Sequence, residues 1–223
     1  LKTYRITITG LSDLLFHADN IEWSDEMKRW REDPANKAKS VAGDDRSPAH
    51  TWLGSLYHDT KHVAIPSDNL MRCLMEGGAQ VPVPGGKNGK TFKAQTQSGM
   101  VVVEESWPLI VNGKPIPVPG LLALTKEEDF QAHVTAARAA GFMLLVKRAK
   151  PPSSKGKHVR VRPRFTQWGA TGTLQVWDDQ LKLPSLVDIL RLAGRNKGIG
   201  DWRPSSPTPG PFGRFEAKIV EVR

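Results

Sequence analysis

The segment Lys2-Thr3-Tyr4-Arg5-Ile6-Thr7-Ile8-Thr9 decides the reading of the fold. Tyr4, Ile6 and Ile8 alternate with Arg5, Thr7 and Thr9. Successive side chains of a strand point to opposite faces, so this pattern predicts a strand with one apolar side. Outward from it, 65–78 predicts a helix. Pro66 precedes Ser67, which is suited to an N-cap, while Leu70, Met71, Leu74 and Met75 fall on one face and Gly77 and Gly78 stop the run. The stretch 170–177 alternates again, with Thr171, Thr173 and Gln175 set against Leu174 and Val176. Ser185–Ala193 predicts a second helix with capping-box spacing between Ser185 and Asp188 and an apolar stripe of Leu186, Ile189, Leu190 and Ala193. A final strand is expected over Arg214–Val222. With His158–Arg162 as the second strand, the order is strand, helix, strand, strand, helix, strand. The expected fold class is therefore α+β, with a ferredoxin-like (RRM-like) core: an antiparallel sheet, two helices and an inserted subdomain. The core would comprise about 1–20, 62–80 and 157–223.

Two segments interrupt that core. Residues 21–61 read as a charged insertion, helical until Pro34, with Trp23 and Trp30 among mixed charges. Residues 81–156 would form the inserted subdomain. It is expected to hold a mobile loop rich in Pro and Gly, then short strands at Met100–Val103 and Leu109–Val111. A helix over Lys126–Ala139 and a strand over Phe142–Val146 would follow, with a turn at Pro151–Gly156.

The chain has 223 residues and a formal net charge of +9, with a pI of about 9.8 and a mean hydropathy of −0.41. No apolar run approaches the roughly 20 residues of a membrane span. The chain opens on a strand-like segment rather than a leader, and the single cysteine, Cys73, can form no internal disulfide. A cytoplasmic location is expected on these grounds. Cys73 lies in a helix with no histidine or basic pair adjacent in sequence to activate it and reads as structural.

A basic chain favours polyanionic partners, and the distribution of charge sharpens this. From Lys147 to Arg164 there are eight Lys or Arg residues and no acid: Lys147, Arg148, Lys150, Lys155, Lys157, Arg160, Arg162 and Arg164. The last three, spaced by two, would share one face of a strand and repel one another unless anions lie across them. A phosphodiester chain would supply those anions, and the planar fork of arginine suits phosphate oxygens. Pro163 would turn Arg164 aside. Phe165 and Trp168 follow and either stack unpaired bases or belong to the core. A second cluster holds Arg195, Lys197, Trp202, Arg203 and Arg214 within a glycine-rich segment running from Gly194 to Gly213. Its glycines would either bring backbone N–H groups close to phosphate or serve tight turns alone. The P-loop pattern GxxxxGK[ST] is absent, which argues against nucleotide hydrolysis.

Leu14-Leu15-Phe16-His17-Ala18-Asp19, the helix start Pro66-Ser67-Asp68-Asn69-Leu70, Arg162-Pro163-Arg164-Phe165 with Trp168, and Gly198-Ile199-Gly200-Asp201-Trp202-Arg203-Pro204 followed by Phe212-Gly213-Arg214-Phe215-Glu216-Ala217 carry a resemblance. Together they resemble a family of phage and prophage proteins and, more distantly, the RAMP superfamily, whose members include backbone subunits of CRISPR effector complexes. The resemblance implies ferredoxin-like cores with a glycine-rich loop before the last strand. It also implies a non-catalytic protein, without cofactor or metal, that binds single-stranded RNA or DNA along its backbone and self-associates into an oligomer or filament.

Two other classes stay open. A metal-independent ribonuclease would use a histidine as general acid or base, with His17, His50, His58 and His62 as candidates. No HExxH or other metal-ligand spacing stands out. An assembly protein would oligomerise through anchors such as Trp23, Trp30 and Trp52.

Overall fold

The alternation at the start of the chain is realised in the computed structural model as β1 (Lys2–Gly10), with Tyr4, Ile6 and Ile8 buried. The structure describes residues 1–149 and 156–222. After β1 come β2 (Leu14–Leu15), α1 (Ile21–Glu32), short 3-10 turns at Pro34–Lys39 and Ala49–Ser55, β3 (Ala64–Pro66) and α2 (Ser67–Gly78). The middle of the chain forms α3 (Lys93–Ser98), β4 (Met100–Val102), β5 (Ser106–Pro108), β6 (Ile110–Val111), β7 (Lys114–Pro115), α4 (Pro119–Leu122) and α5 (Phe130–Ala139). The remainder is β8 (Met143–Ala149), β9 (His158–Phe165), β10 (Trp168–Val176), α6 (Leu183–Leu192), a π turn at Ala193–Lys197 and β11 (Phe215–Val222).

The main sheet runs β11-β1-β10, all antiparallel. Beyond β10, its far edge is shared by β4, opposite Leu174–Val176, and by β6, opposite Trp168 and Gly169. Both helices with strong apolar stripes pack on the same face. Leu70 and Leu74 of α2 and Leu190 of α6 meet Ile6, Ile8, Leu174 and Phe215 there. The opposite face carries Arg5, Thr7, Thr171 and Lys218 in register. Trp107 of β5 crosses β10 at Gly172, where a Cβ would stand 1.9 Å from the indole nitrogen. Only glycine admits that crossing.

Several expectations are corrected. His158–Arg162 is not the second strand of the main sheet. It belongs to β9, in a separate sheet ordered β2-β9-β8, and β4 takes the position beside β10. Alternation reports that one side of a strand is buried and is silent about which sheet buries it. Pro163 does not turn Arg164 aside, because β9 continues through Phe165 and Arg164 stays opposite Met143 and Leu15. Pro66 rather than Ser67 is the N-cap of α2, and no side chain caps it. The helix α6 starts earlier than expected, with Pro184 in its first turn, a position where the missing N–H costs nothing. Asp188 pairs with Arg191 at 3.0 Å instead of closing a capping box. The 3-10 turn at Ala123–Lys126 breaks the helix expected over Lys126–Ala139, which begins only at Phe130 behind its cap Asp129.

Candidate nucleic-acid interface

Strands β8 and β9 pair from Met143–Arg164 to Ala149–His158, so Lys147 lies opposite Arg160 and Leu145 opposite Arg162. Residues alternate along β9: Val161 and Phe165 are buried in the core, while Arg160, Arg162 and Arg164 share the other face. Facing that basic surface is the loop after α6. Gly198 (φ 68°), Gly200 (φ 80°) and Gly213 (φ 72°) adopt left-handed backbone here. At Gly200 a Cβ would meet the Leu15 carbonyl at 2.4 Å. The loop is thereby pressed onto the chain between β1 and His17. Its amides are engaged within the protein: Ile199 N–H donates to Gly213, Asp201 N–H to Leu15 (2.8 Å), and Gly213 N–H to Asp13 (2.7 Å). Of the two readings of these glycines, close packing is the one these contacts support: the Gly198 N–H donates to the Ala193 carbonyl and the Gly213 N–H to that of Asp13.

Between the two walls lies an open groove of ≈ 820 Å³. Leu145, Lys147, Arg148, Arg160 and Arg162 form one side. Asp201, Trp202, Arg203, Ser206 and Thr208 form the other, and Leu15 and His17 form the floor. Two smaller hollows, of ≈ 190 and ≈ 230 Å³, also take His17 as a lining residue, so three depressions meet at that histidine. The walls touch where the Lys147 ammonium sits 3.6 Å from the centre of the Trp202 ring.

The arginines of β9 are not left to repel one another. Asp45, only 6% exposed, accepts from Arg160 (2.9 Å), from Arg162 (3.1 Å) and from the Val161 N–H (3.2 Å). It is carried there by Gly43–Asp45, which runs beside the start of β9 through bonds to Val159. Arg162 also lies 3.6 Å from Asp201 and donates to His17 Nε2 at 3.1 Å. Arg164 is bound by Asp13. The protein's own carboxylates thus supply anions that the sequence reading assigned to phosphate. Burial pushes the Arg162 pKa down, against the opposing pull of Asp45 and Asp201. The pKa of His17 is lowered by burial and by the Arg162 charge, with Asp201 and Asp45 opposing and Arg160 adding to the depression.

Among the expected binding residues, Lys147, Arg148, Arg160, Arg162, Trp202 and Arg203 converge on the groove. Trp168 does not. It is 1% exposed and donates its indole N–H to Ser12 at 2.7 Å, which leaves no face for a base. Phe165 is likewise core. Arg164, Lys157, Arg195, Lys197 and Arg214 lie outside the groove lining, and Arg214 donates to the Arg195 carbonyl instead. Lys150 and Lys155 lie outside the described residues, as does most of the expected 151–156 turn.

Of the candidate histidines only His17 lines the groove. His58 accepts from the Thr60 N–H in a turn, His62 lies 3.9 Å from Asp59, and His50 is buried between the edges of Trp23 and Trp30. Trp52 is no surface anchor. It is fully buried and donates to His133 Nδ1 at 3.1 Å. Asp45 and Asp13 escaped the sequence reading, since they sit far from their arginines along the chain. No group of three or more metal-ligating side chains occurs among the described residues, and none of their helices is long and apolar enough to cross a membrane.

No family model matches the chain, and no curated protein matches it by sequence. Among solved structures it is similar to Cmr6 from Pyrococcus furiosus, at 11% identity over 97% of this chain and 99% of that one, with a TM-score of 0.37.

Proposed function

We propose that the groove between β8/β9 and the loop after α6 binds the backbone of single-stranded RNA or DNA without cleaving it. The observation that carries the reading is the convergence of Lys147, Arg148, Arg160, Arg162 and Arg203 on one cleft from two separate parts of the chain. A volume of ≈ 820 Å³ falls in the range of ligand-sized clefts and accommodates a few nucleotides of one strand. In this reading β1, α2, β4, β10, α6 and β11 are a ferredoxin-like core of the kind that RAMP proteins use. Successive copies would line up along the strand.

Arg148 is the cleanest probe, because it lines the groove and none of the salt bridges among the described residues includes it. Fluorescence anisotropy with labelled single strands should show binding that weakens steeply with salt, since each phosphate contact releases a counterion. Arg148→Ala should weaken all sequences alike and reduce the salt slope by about one. No binding at low salt would refute the proposal.

A second reading is favoured by His17, which lies in the groove beside Arg162 and 3.9 Å from Asp201. A histidine between a cation and a carboxylate is equipped for proton transfer in metal-independent RNA cleavage. Incubation of labelled RNA with the protein in EDTA tests it. Products that disappear in His17→Ala would replace the non-catalytic reading.

A further inference from the structure

The Trp202 ring has the construction of a shelf. Its residue holds a left-handed backbone conformation (φ 48°), unusual for a bulky side chain. The Trp202 N–H donates to Asp201 Oδ1 at 2.9 Å. Phe212 packs on the indole with ring centres 5.5 Å apart and 37° between planes. Gly210 lies against it so closely that a Cβ would stand 2.3 Å from the ring. The loop therefore fixes the indole at the groove wall, and the flexible Lys147 side chain lies over it with its ammonium 3.6 Å from the ring centre.

That cover is exchangeable. A cation over a partly exposed ring is held weakly, whereas an unpaired base stacked on an aromatic face gains more. A lysine on a four-carbon stem can leave the ring without any backbone movement. Once it leaves, its ammonium is among the cations that face the strand's phosphates.

We propose that Trp202 is a stacking platform for one unpaired base, and that Lys147 covers it in the free protein and moves to a phosphate when the base arrives. This rests on the groove being the nucleic-acid site and adds to it a contact that distinguishes bases from bare backbone. The exchange makes no use of base edges, so it selects single-stranded over paired nucleic acid without selecting sequence.

The test compares a thymidine oligonucleotide of about 12 residues with an abasic strand of equal length and charge, by anisotropy at fixed salt. The wild type should bind the base-bearing strand roughly 5- to 100-fold more tightly. Trp202→Ala should abolish that ratio, and Trp202→Phe should restore part of it. Lys147→Ala should lower the salt slope of the base-bearing strand by about one, because the displaced ammonium meets a phosphate there, and an unchanged slope would overturn the exchange. Tight binding with a ratio near one would overturn the platform and leave the backbone reading standing. Absence of binding to either strand would overturn both. A ratio that survives in Trp202→Ala would place base contact elsewhere and refute the proposal.

Discussion

At the scale of single residues, Asp45 and His17 do the most to define the groove. Asp45 is a buried carboxylate with three donors from consecutive positions of β9. Removing its charge leaves the Arg160 guanidinium without a carboxylate and Arg162 with only Asp201 at 3.6 Å, and the loss of one partner of a desolvated pair is costly. Because Arg160 is partly exposed, water offsets some of that cost. Asp45→Asn should destabilise the fold by about 2–3 kcal/mol, read from the shift in denaturant midpoint. A change within about 0.5 kcal/mol would show that the carboxylate does not hold the strand.

His17 responds to pH in a definite direction. Burial and the Arg162 charge lower its pKa below the usual 6.5, with Arg160 adding to this and Asp201 and Asp45 opposing it. A bound phosphate favours the charged form and raises the pKa, so binding takes up a proton. Affinity for a single strand should rise as pH falls below 6.5, and His17→Gln should flatten that rise. Equal slopes in both proteins would remove His17 from the ligand's field.

At the scale of elements, much was legible in the sequence. The strands β1, β10 and β11 and the helices α2 and α6 follow from periods of two and 3.6 and from their glycine stops. The placement of β9 was not legible, because its alternation of Val161, Pro163 and Phe165 with arginines fits any half-buried sheet. The strand β4 is three residues long, too short for a period to register. One element junction makes a sharp prediction. Trp107 lies across Gly172 and donates to Glu104, which also accepts from the Thr173 N–H at 2.8 Å. Gly172→Ala places a methyl group inside the indole's volume and should cost about 1–3 kcal/mol in thermal or chemical unfolding. An unchanged melting temperature would show that the indole can move away freely.

At the scale of the whole molecule, the groove is a product of long-range closure. The bond between Arg160 and Asp45 spans 115 positions, that between Arg164 and Asp13 spans 151, and the Lys147–Trp202 contact joins two separate sheets' outskirts. Local patterns in a chain carry no record of such meetings. For that reason the acid-free run 147–164 read as a set of cations awaiting phosphate, when all three arginines of β9 are already paired with carboxylates from elsewhere in the chain. The glycine loop misled in the opposite sense: its composition suggested a phosphate cradle, and its backbone turned out to be occupied in holding Asp201 and Trp202 in position. What survives from the sequence is the location. Six of the expected residues do meet in one cleft.

Two of the indoles that rest on glycines, Trp107 on Gly172 and Trp202 on Gly210, bear on descent. Each pair is a lock in which neither member can change alone: a side chain at the glycine evicts the ring, and a lost ring leaves a void above the glycine. Among related chains the two positions should be inherited together or replaced together. A distant relative would then be recognised by paired glycine and tryptophan positions more readily than by its scattered basic residues.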